Sequence, residues 1–346
     1  MVSLQKFSNL IELITYFKDD KTCRKYLEYI RWQDKLVCPY ADCKHDHINR
    51  YTDGKRYKCA KCQRQYSVRV GSIFEDSKIP LQKWFAAIYL ITSHKKGISS
   101  LQLHRDIGVT QKTAWYMLHR VRHSLGIHAD VKLSGIVEAD ETFIGGKEAN
   151  KHDDKKTPQS QGRSVKTKIP VAGAVQRGGE VRATVVKNTK GKSLKKFLKD
   201  NIENGSTLHT DEWYGYNGLK RVYEHFVINH NQKEYVNGHI HTNTIEGFWS
   251  LLKRGNLGIY HSMSSKHLQK YLDEFVFRYN TIHLSETTRF DKMLNNISTT
   301  LPYSKLIRND SKPEFNPSTD FANAYKWLEA KQGTIEFPNE DARRNV

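Results

Sequence analysis

Long apolar runs are missing from this chain: nowhere in its 346 residues do eighteen consecutive apolar residues occur, so no segment reads as a membrane span. The opening Met-Val-Ser-Leu-Gln-Lys-Phe-Ser-Asn-Leu has neither the continuous apolar core nor the small-residue cleavage site of a secretory signal, and a cytoplasmic protein is expected. Cysteine is scarce too. In a reducing compartment five cysteines read as thiols or metal ligands rather than a disulfide frame. Acid is in short supply: 37 Asp+Glu face 56 Lys+Arg, leaving a formal charge of +19. Such an excess favours a polyanionic partner, because each neutralised phosphate releases condensed counterions. Charge alone does not separate DNA from RNA or an anionic membrane. No internal repeat is present.

What is there suits two or three domains with real cores, since 38% of the residues are apolar and 11% aromatic. Residues 1–35 read as a helical segment, two short helices broken near Asp19–Thr22. Residues 36–72 are cysteine-punctuated and hairpin-like, with a turn signal at Asp53-Gly54. From Pro80, Leu-Gln-Lys-Trp-Phe-Ala-Ala-Ile-Tyr-Leu is a strongly apolar helix, and two more helices are expected at 98–106 and 110–125. After Gly126 the pattern changes. Strands at 135–145, 169–176, 180–187, 206–210 and 222–228 alternate with helices at 193–201, 243–254 and 265–282, an α/β order with a mixed sheet over about 133–285. Residues 146–168 read as a lysine-rich mobile loop. Residues 286–346 read as a C-terminal extension, with one amphipathic helix near 319–331.

Cys38 and Cys43 have four residues between them, Cys59 and Cys62 have two, and fifteen lie between the knuckles. That spacing suits a tetrahedral, structural Zn²⁺, with His45 or His47 as substitutes for Cys43. A segment so short has too little core to fold without the metal. Cys23 reads as a small core residue. In residues 78–126, Ser99 or Ser100 and then Thr110 read as helix caps, and Gly108 as the left-handed turn residue of a helix-turn-helix domain. Leu101, Ile107, Val109, Ala114 and Leu118 would pack the pair. Gln111, Lys112, Thr113 and Trp115 then fall where a recognition helix meets base edges, with Arg120, Arg122 and His123 near phosphate. A plain helical hairpin is the competing reading.

The carboxylates carry the chemistry. Asp140 follows a β-prone run in Val-Glu-Ala-Asp-Glu-Thr-Phe-Ile-Gly-Gly, and Asp211 closes the short strand of Leu-His-Thr-Asp-Glu-Trp-Tyr-Gly-Tyr. Glu246 lies on a helix in His-Thr-Asn-Thr-Ile-Glu-Gly-Phe-Trp-Ser-Leu-Leu-Lys-Arg, thirty-four residues after Asp211 and seven before Lys253. Strand alternation places Glu138 and Asp140 on one face and Glu141 on the other. Asn243, Glu246, Trp249 or Ser250, and Lys253 share a helix face, so Asn243 is a ligand candidate or an orienter of Glu246. Lys253 and Arg254 would face phosphate. Carboxylates drawn together repel unless cations join them, and hard oxygen donors select Mg²⁺ or Mn²⁺. Two such ions can break and rejoin phosphodiesters. His209, His239 and His241 lie near these motifs, as assistants or as framework histidines.

These motifs, together with Arg-Trp-Gln-Asp-Lys-Leu-Val-Cys-Pro and the run from Tyr57 to Trp84, resemble the bacterial insertion-sequence transposases with an N-terminal zinc ribbon and an ISXO-like DDE domain. The resemblance extends from about Phe7 to about Tyr303. It implies an RNase H-like catalytic fold preceded by the zinc ribbon and the helix-turn-helix domain. It also implies metal-dependent cleavage at terminal inverted repeats, strand transfer into target DNA, and a nucleoid-associated place in the cell. Asp140 and Asp211 match the family's first two acidic positions; Asn243 and Glu246 both fall in the third motif, with Glu246 favoured for its charge. A homodimer or larger oligomer on double-stranded DNA is expected, because two element ends must be held together. The alternatives are a DNA-binding regulator derived from such an enzyme, and a nuclease of RNase H type.

Overall fold

The computed structural model describes residues 7–33, 35–126, 131–146, 152–157, 167–228 and 240–308. His239, most of the expected 146–168 loop and the helix expected near 319–331 lie outside them. The chain divides into two compact units at Leu301/Pro302.

The first unit opens with α1 (Leu10–Tyr16) and α2 (Asp20–Trp32), each started by a capping carboxamide or carboxylate: Asn9 accepts from the Glu12 N–H and Asp19 from the Thr22 N–H. A small antiparallel sheet follows, β1 (Ile48–Arg50), β2 (Arg56–Cys59) and β3 (Gln65–Ser67), in that order. Its own core is Cys38, Tyr57, Cys59 and Tyr66. The next helix, α3 (Leu81–Ser93), buries residues on every face, including Trp84, Phe85, Ile88 and Ile91, which makes it the centre of the helical layer. Two further helices, α4 (Ser100–Ile107) and α5 (Gln111–Leu125), pack beside it.

Beyond lies a five-stranded sheet. Its central strand β4 (Ile136–Ile144) pairs antiparallel with β5 (Ile169–Gln176), which pairs with β6 (Val181–Val185). Helix α6 (Gly191–Asn201) then carries the chain across to β7 (Thr207–Asp211), parallel to β4, and β8 (Glu224–Ile228) extends the parallel half. Helices α7 (Asn243–Gly255), α8 (Leu268–Asn280) and α9 (Glu286–Asn295) complete the unit. The order is β6-β5-β4-β7-β8. Alternation in β5 shows how the faces are used: Val171 and Val175 join Ile245, Phe248 and Phe275 of α7 and α8, while Ala172 and Ala174 join Leu194 and Leu198 of α6. The sheet is covered on both faces, and β5 accordingly reads as a nearly unbroken apolar run, whereas β4 and β7 carry the polar and acidic residues.

Two domain expectations are corrected. Residues 1–35 and 78–126 do not form separate cores, since Phe17, Tyr26 and Leu27 pack with Phe85, Ile88 and Leu118. Nor is everything after 285 an extension. Helix α9 sends Phe290, Met293 and Leu294 into that same core, with the Phe290 ring 5.3 Å from Phe7 and 5.4 Å from Phe85. Among the described residues the second unit contributes one short helix, α10 (Tyr303–Ile307).

Candidate active site

Strands β4 and β7 pair only from Ile136↔Thr207 to Glu138↔His209, while β7 stays with β8 as far as Asp211↔Ile228. The two parallel strands therefore part just before their acids. Asp140, midway along β4 and two residues past its last pairing with β7, and Asp211, the last residue of β7, stand in the notch where the strands part, the side on which open α/β sheets characteristically receive ligands. Glu141 joins them: carboxylate oxygens of Asp140, Glu141 and Asp211 all lie within 4.8 Å of one another. Side-chain alternation holds as expected, because Asp140 meets α7 through the Trp249 indole N–H at 3.0 Å, while Glu141 accepts from the buried Tyr216 hydroxyl at 2.8 Å on the other side. The parting of β4 from β7 lets the two adjacent carboxylates approach from opposite faces.

Glu246 reaches the same place from the first turn of α7. It lines an open cavity of about 910 Å³ with Asp140, Glu141, Asp211 and Lys253, although it lies outside the tight carboxylate group. The Thr242 hydroxyl donates to its Oε1 at 3.1 Å. Asn243 is exposed and is not among the residues lining that cavity; its neighbour Thr242 takes the orienting position. Lys168, Asn256 and His261 also line this cavity. Arg254 is exposed, one residue beyond Lys253 on the helix.

Electrostatics follow the geometry. Burial, then the charges of Glu141, Asp211 and Glu246, push Asp140 up to about 7. Burial and the Glu141 and Asp140 charges hold the Tyr216 phenol well above its ordinary range, so it remains a donor. A cation with Mg–O distances of about 2.1 Å has neighbouring ligand oxygens about 3 to 4 Å apart, and the all-oxygen cluster fits such an ion with small adjustments. Gly173 pairs directly with Asp140 across β4 and β5, and a Cβ there would lie 2.5 Å from the Trp249 ring. The glycine leaves the room the indole occupies while its N–H reaches Asp140. Sequence patterning did not reveal the Gly173–Trp249 contact or the Glu141 approach.

Residues 132–280 match the ISXO2-like transposase domain, and residues 18–65 match the transposase zinc-ribbon domain. The chain carries a zinc ribbon and a transposase domain of the ISXO2-like family. The matched ISXO2-like transposase domain has the RNase H-like fold, consistent with the mixed sheet described above. A relative in transposable element ISH50 of Halobacterium salinarum, named only as an uncharacterized protein, is 29% identical over 277 residues, or 77% of this chain and 92% of that one. In the matched ribbon, the Cys38 and Cys62 sulfurs are 3.8 Å apart and those of Cys43 and Cys59 are 3.6 Å apart. A tetrahedron with Zn–S of about 2.3 Å has edges of about 3.8 Å, so the four thiols fit one structural zinc. His45 and His47 are not part of that quartet.

The α4–α5 helix pair is capped as its sequence suggests. Ser99 accepts from the Gln102 N–H, Gly108 is left-handed at φ 61°, and Thr110 accepts from the Thr113 N–H. Gln111 and Lys112 are exposed at the start of α5; Gln111 donates to the Ser100 hydroxyl, and Thr113 is engaged in the cap. Trp115 is half-buried against His119 and His267, with ring centroids 4.4 and 5.7 Å away. Leu101 is 48% exposed, and Leu103 takes the packing position instead. The phosphate role expected of Arg120 and Arg122 is corrected. Arg120 is buried and donates to the carbonyls of Ile73, Glu75 and Leu301, while Arg122 is buried beside Glu274 at 2.5 Å. Late in α5 both charges point inward, because partners remote in sequence are there to receive them. His123, half-buried, bonds to the Thr299 hydroxyl.

Proposed function

We propose that the protein is an active DNA transposase that binds the terminal inverted repeats of an insertion sequence, cleaves a strand at each end and joins it to target DNA. The observation that carries this reading is the convergence of Asp140 and Asp211 in the β4/β7 notch, with Glu246 on the facing wall of one cavity. Bound there, a pair of Mg²⁺ or Mn²⁺ ions would activate the attacking oxygen and stabilise the leaving one. Asp140 and Asp211 would supply the fixed ligands, because Asp140 is held midway along β4 and by the Trp249 bond, and Asp211 at the end of β7. Glu246 supplies the third carboxylate from its helix, oriented by Thr242. Lys253 and Lys168 on the cavity wall hold the phosphate backbone against the acids.

Gln111 and Lys112 at the exposed start of α5 are the residues that read the repeat ends, with Thr113 and Trp115 shaping that turn. The +19 charge supplies affinity of the salt-dependent kind. Two copies hold the two ends in one complex. The test is excision of a marked element in cells. Asp140→Ala is expected to abolish excision while end binding persists; a protein acting only as a DNA-binding regulator would keep its phenotype unchanged.

A further inference from the structure

Beneath the acids, one buried carboxylate on β4 is tied directly to α7 and, through Arg177, to β7, and the tied residue in each element falls two residues before an acid. Glu138 precedes Asp140 on β4, His209 precedes Asp211 on β7, and Thr244 precedes Glu246 on α7. Glu138 is fully buried, and its Oε2 accepts the backbone N–H groups of Thr244 at 2.8 Å and Ile245 at 3.1 Å. Its Oε1 accepts the Thr244 hydroxyl at 2.8 Å and Arg177 Nε at 2.7 Å. Arg177 also reaches His209 Nδ1 at 3.1 Å and the His241 carbonyl at 3.0 Å. His209 is the register partner of Glu138 across the parallel β4–β7 pair.

Thr244 and Ile245 are the second and third residues of α7, and its own cap residue, Thr242, makes no side-chain capping bond. The first N–H groups of a helix need acceptors from elsewhere. Glu138 therefore does from β4 what a capping side chain does within a helix, and its negative charge suits the helix N-terminus. Because the spacing to each acid is the same, a shift of α7 against β4 at this joint would carry Glu246 away from Asp140 by a similar amount.

We propose that Glu138 is the positioning residue that sets α7, and with it Glu246, against the Asp140–Asp211 pair. It touches neither substrate nor metal, and the inference rests on the carboxylate-site reading above. A carboxylate is required: in Glu138→Gln one oxygen becomes an NH₂ group, and donors then face donors at Thr244 or Arg177.

The test uses the full chain with repeat-end DNA and Fe²⁺ as the probe, generating hydroxyl radicals that cut the backbone beside bound iron. The wild-type protein is expected to be cut near Asp140, Asp211 and Glu246. Glu138→Gln is expected to lose the cut near Glu246 and keep the other two. Its joining rate should fall by about 100-fold, the scale of an ångström of misplacement, with end binding unchanged. Thr244→Val, which removes one of the hydrogen bonds to Glu138, should show the same selective loss with about a threefold to tenfold slower rate. If Glu138→Gln does not fold, Thr244→Val decides. A wild-type cutting pattern in the folded variant, or equal loss of all three cuts, overturns the inference. Absence of cuts near the acids in the wild-type protein overturns the site reading itself and takes this inference with it.

Discussion

Replacing Gly173 by alanine tests how tightly the acid site is packed from below. The added Cβ would lie 2.5 Å from two ring atoms of Trp249 and 3.2 Å from Ile245 Cδ1. Trp249 is 3% exposed and sits in the core between β5 and α7, so its ring has no open space to swing into. Overpacking of this kind costs about 1–3 kcal/mol. At about 2–4 °C per kcal/mol for a domain of this size, Tm should fall by roughly 2–12 °C. The same displacement pulls the indole N–H off Asp140, a hydrogen bond to a charged acceptor of about 1.5–3 kcal/mol. Strand cleavage at the repeat ends should therefore drop about tenfold or more, and thermal unfolding measured alongside separates the two losses. In the double variant Gly173→Ala/Trp249→Phe, the smaller ring relieves the clash, so Tm should recover in part while activity stays low. A Gly173→Ala protein that melts and cleaves like the wild type would refute the packing argument.

Other perturbations follow from the same structure. Burial raises Asp273 to about 6 from an ordinary 3.8, so its protonated form favours folding below that range and the contribution is lost as pH rises through 6. Asp273→Asn keeps an acceptor for Gln269 and should stabilise the protein by about 3 kcal/mol at pH 7 but hardly at pH 4; equal gains in urea melts at both would contradict this. Cys59→Ser, or chelation, should remove one zinc per chain by elemental analysis and unfold the ribbon, leaving α3 helical by hydrogen exchange. Gly108→Ala should cost about 1 kcal/mol through its left-handed φ alone, since the nearest atom to the new Cβ is the flexible Lys83 Nζ at 3.6 Å; denaturant midpoints measure it. Arg122→Met should cost about 3–5 kcal/mol by leaving buried Glu274 without its α5 partner, a loss that Glu274→Gln in the same chain should partly repair.

Much of this was legible in the residues themselves, where the signal is local. Cysteine spacing fixes a tetrahedral quartet, caps at Ser99 and Thr110 with Gly108 between them mark two helices, and strand alternation separates Glu138 and Asp140 from Glu141. What was not legible depends on distant partners. Arg120 and Arg122 read as phosphate contacts because nothing nearby in the chain shows that Leu301 and Glu274 will enclose them. Phe290 and Met293 read as part of an extension because their partners are Phe7 and Phe85, far back in the sequence. Glu138 was visible only as a residue sharing a strand face with Asp140; five contacts from four residues of α7, the β5–β6 turn and the segment before α7 give it a different task.

The central claim is that Asp140, Asp211 and Glu246 form one metal-dependent centre for cutting and joining DNA. In vitro strand joining tests it most directly: purified protein, Mg²⁺ or Mn²⁺, and labelled duplexes bearing the inverted repeats that flank the gene, set against an Asp211→Asn protein. Metal-dependent joined product from the wild-type chain and none from the variant is the expected result. End binding without nicking or joining in either metal would contradict the claim and leave a protein that reads DNA without cutting it.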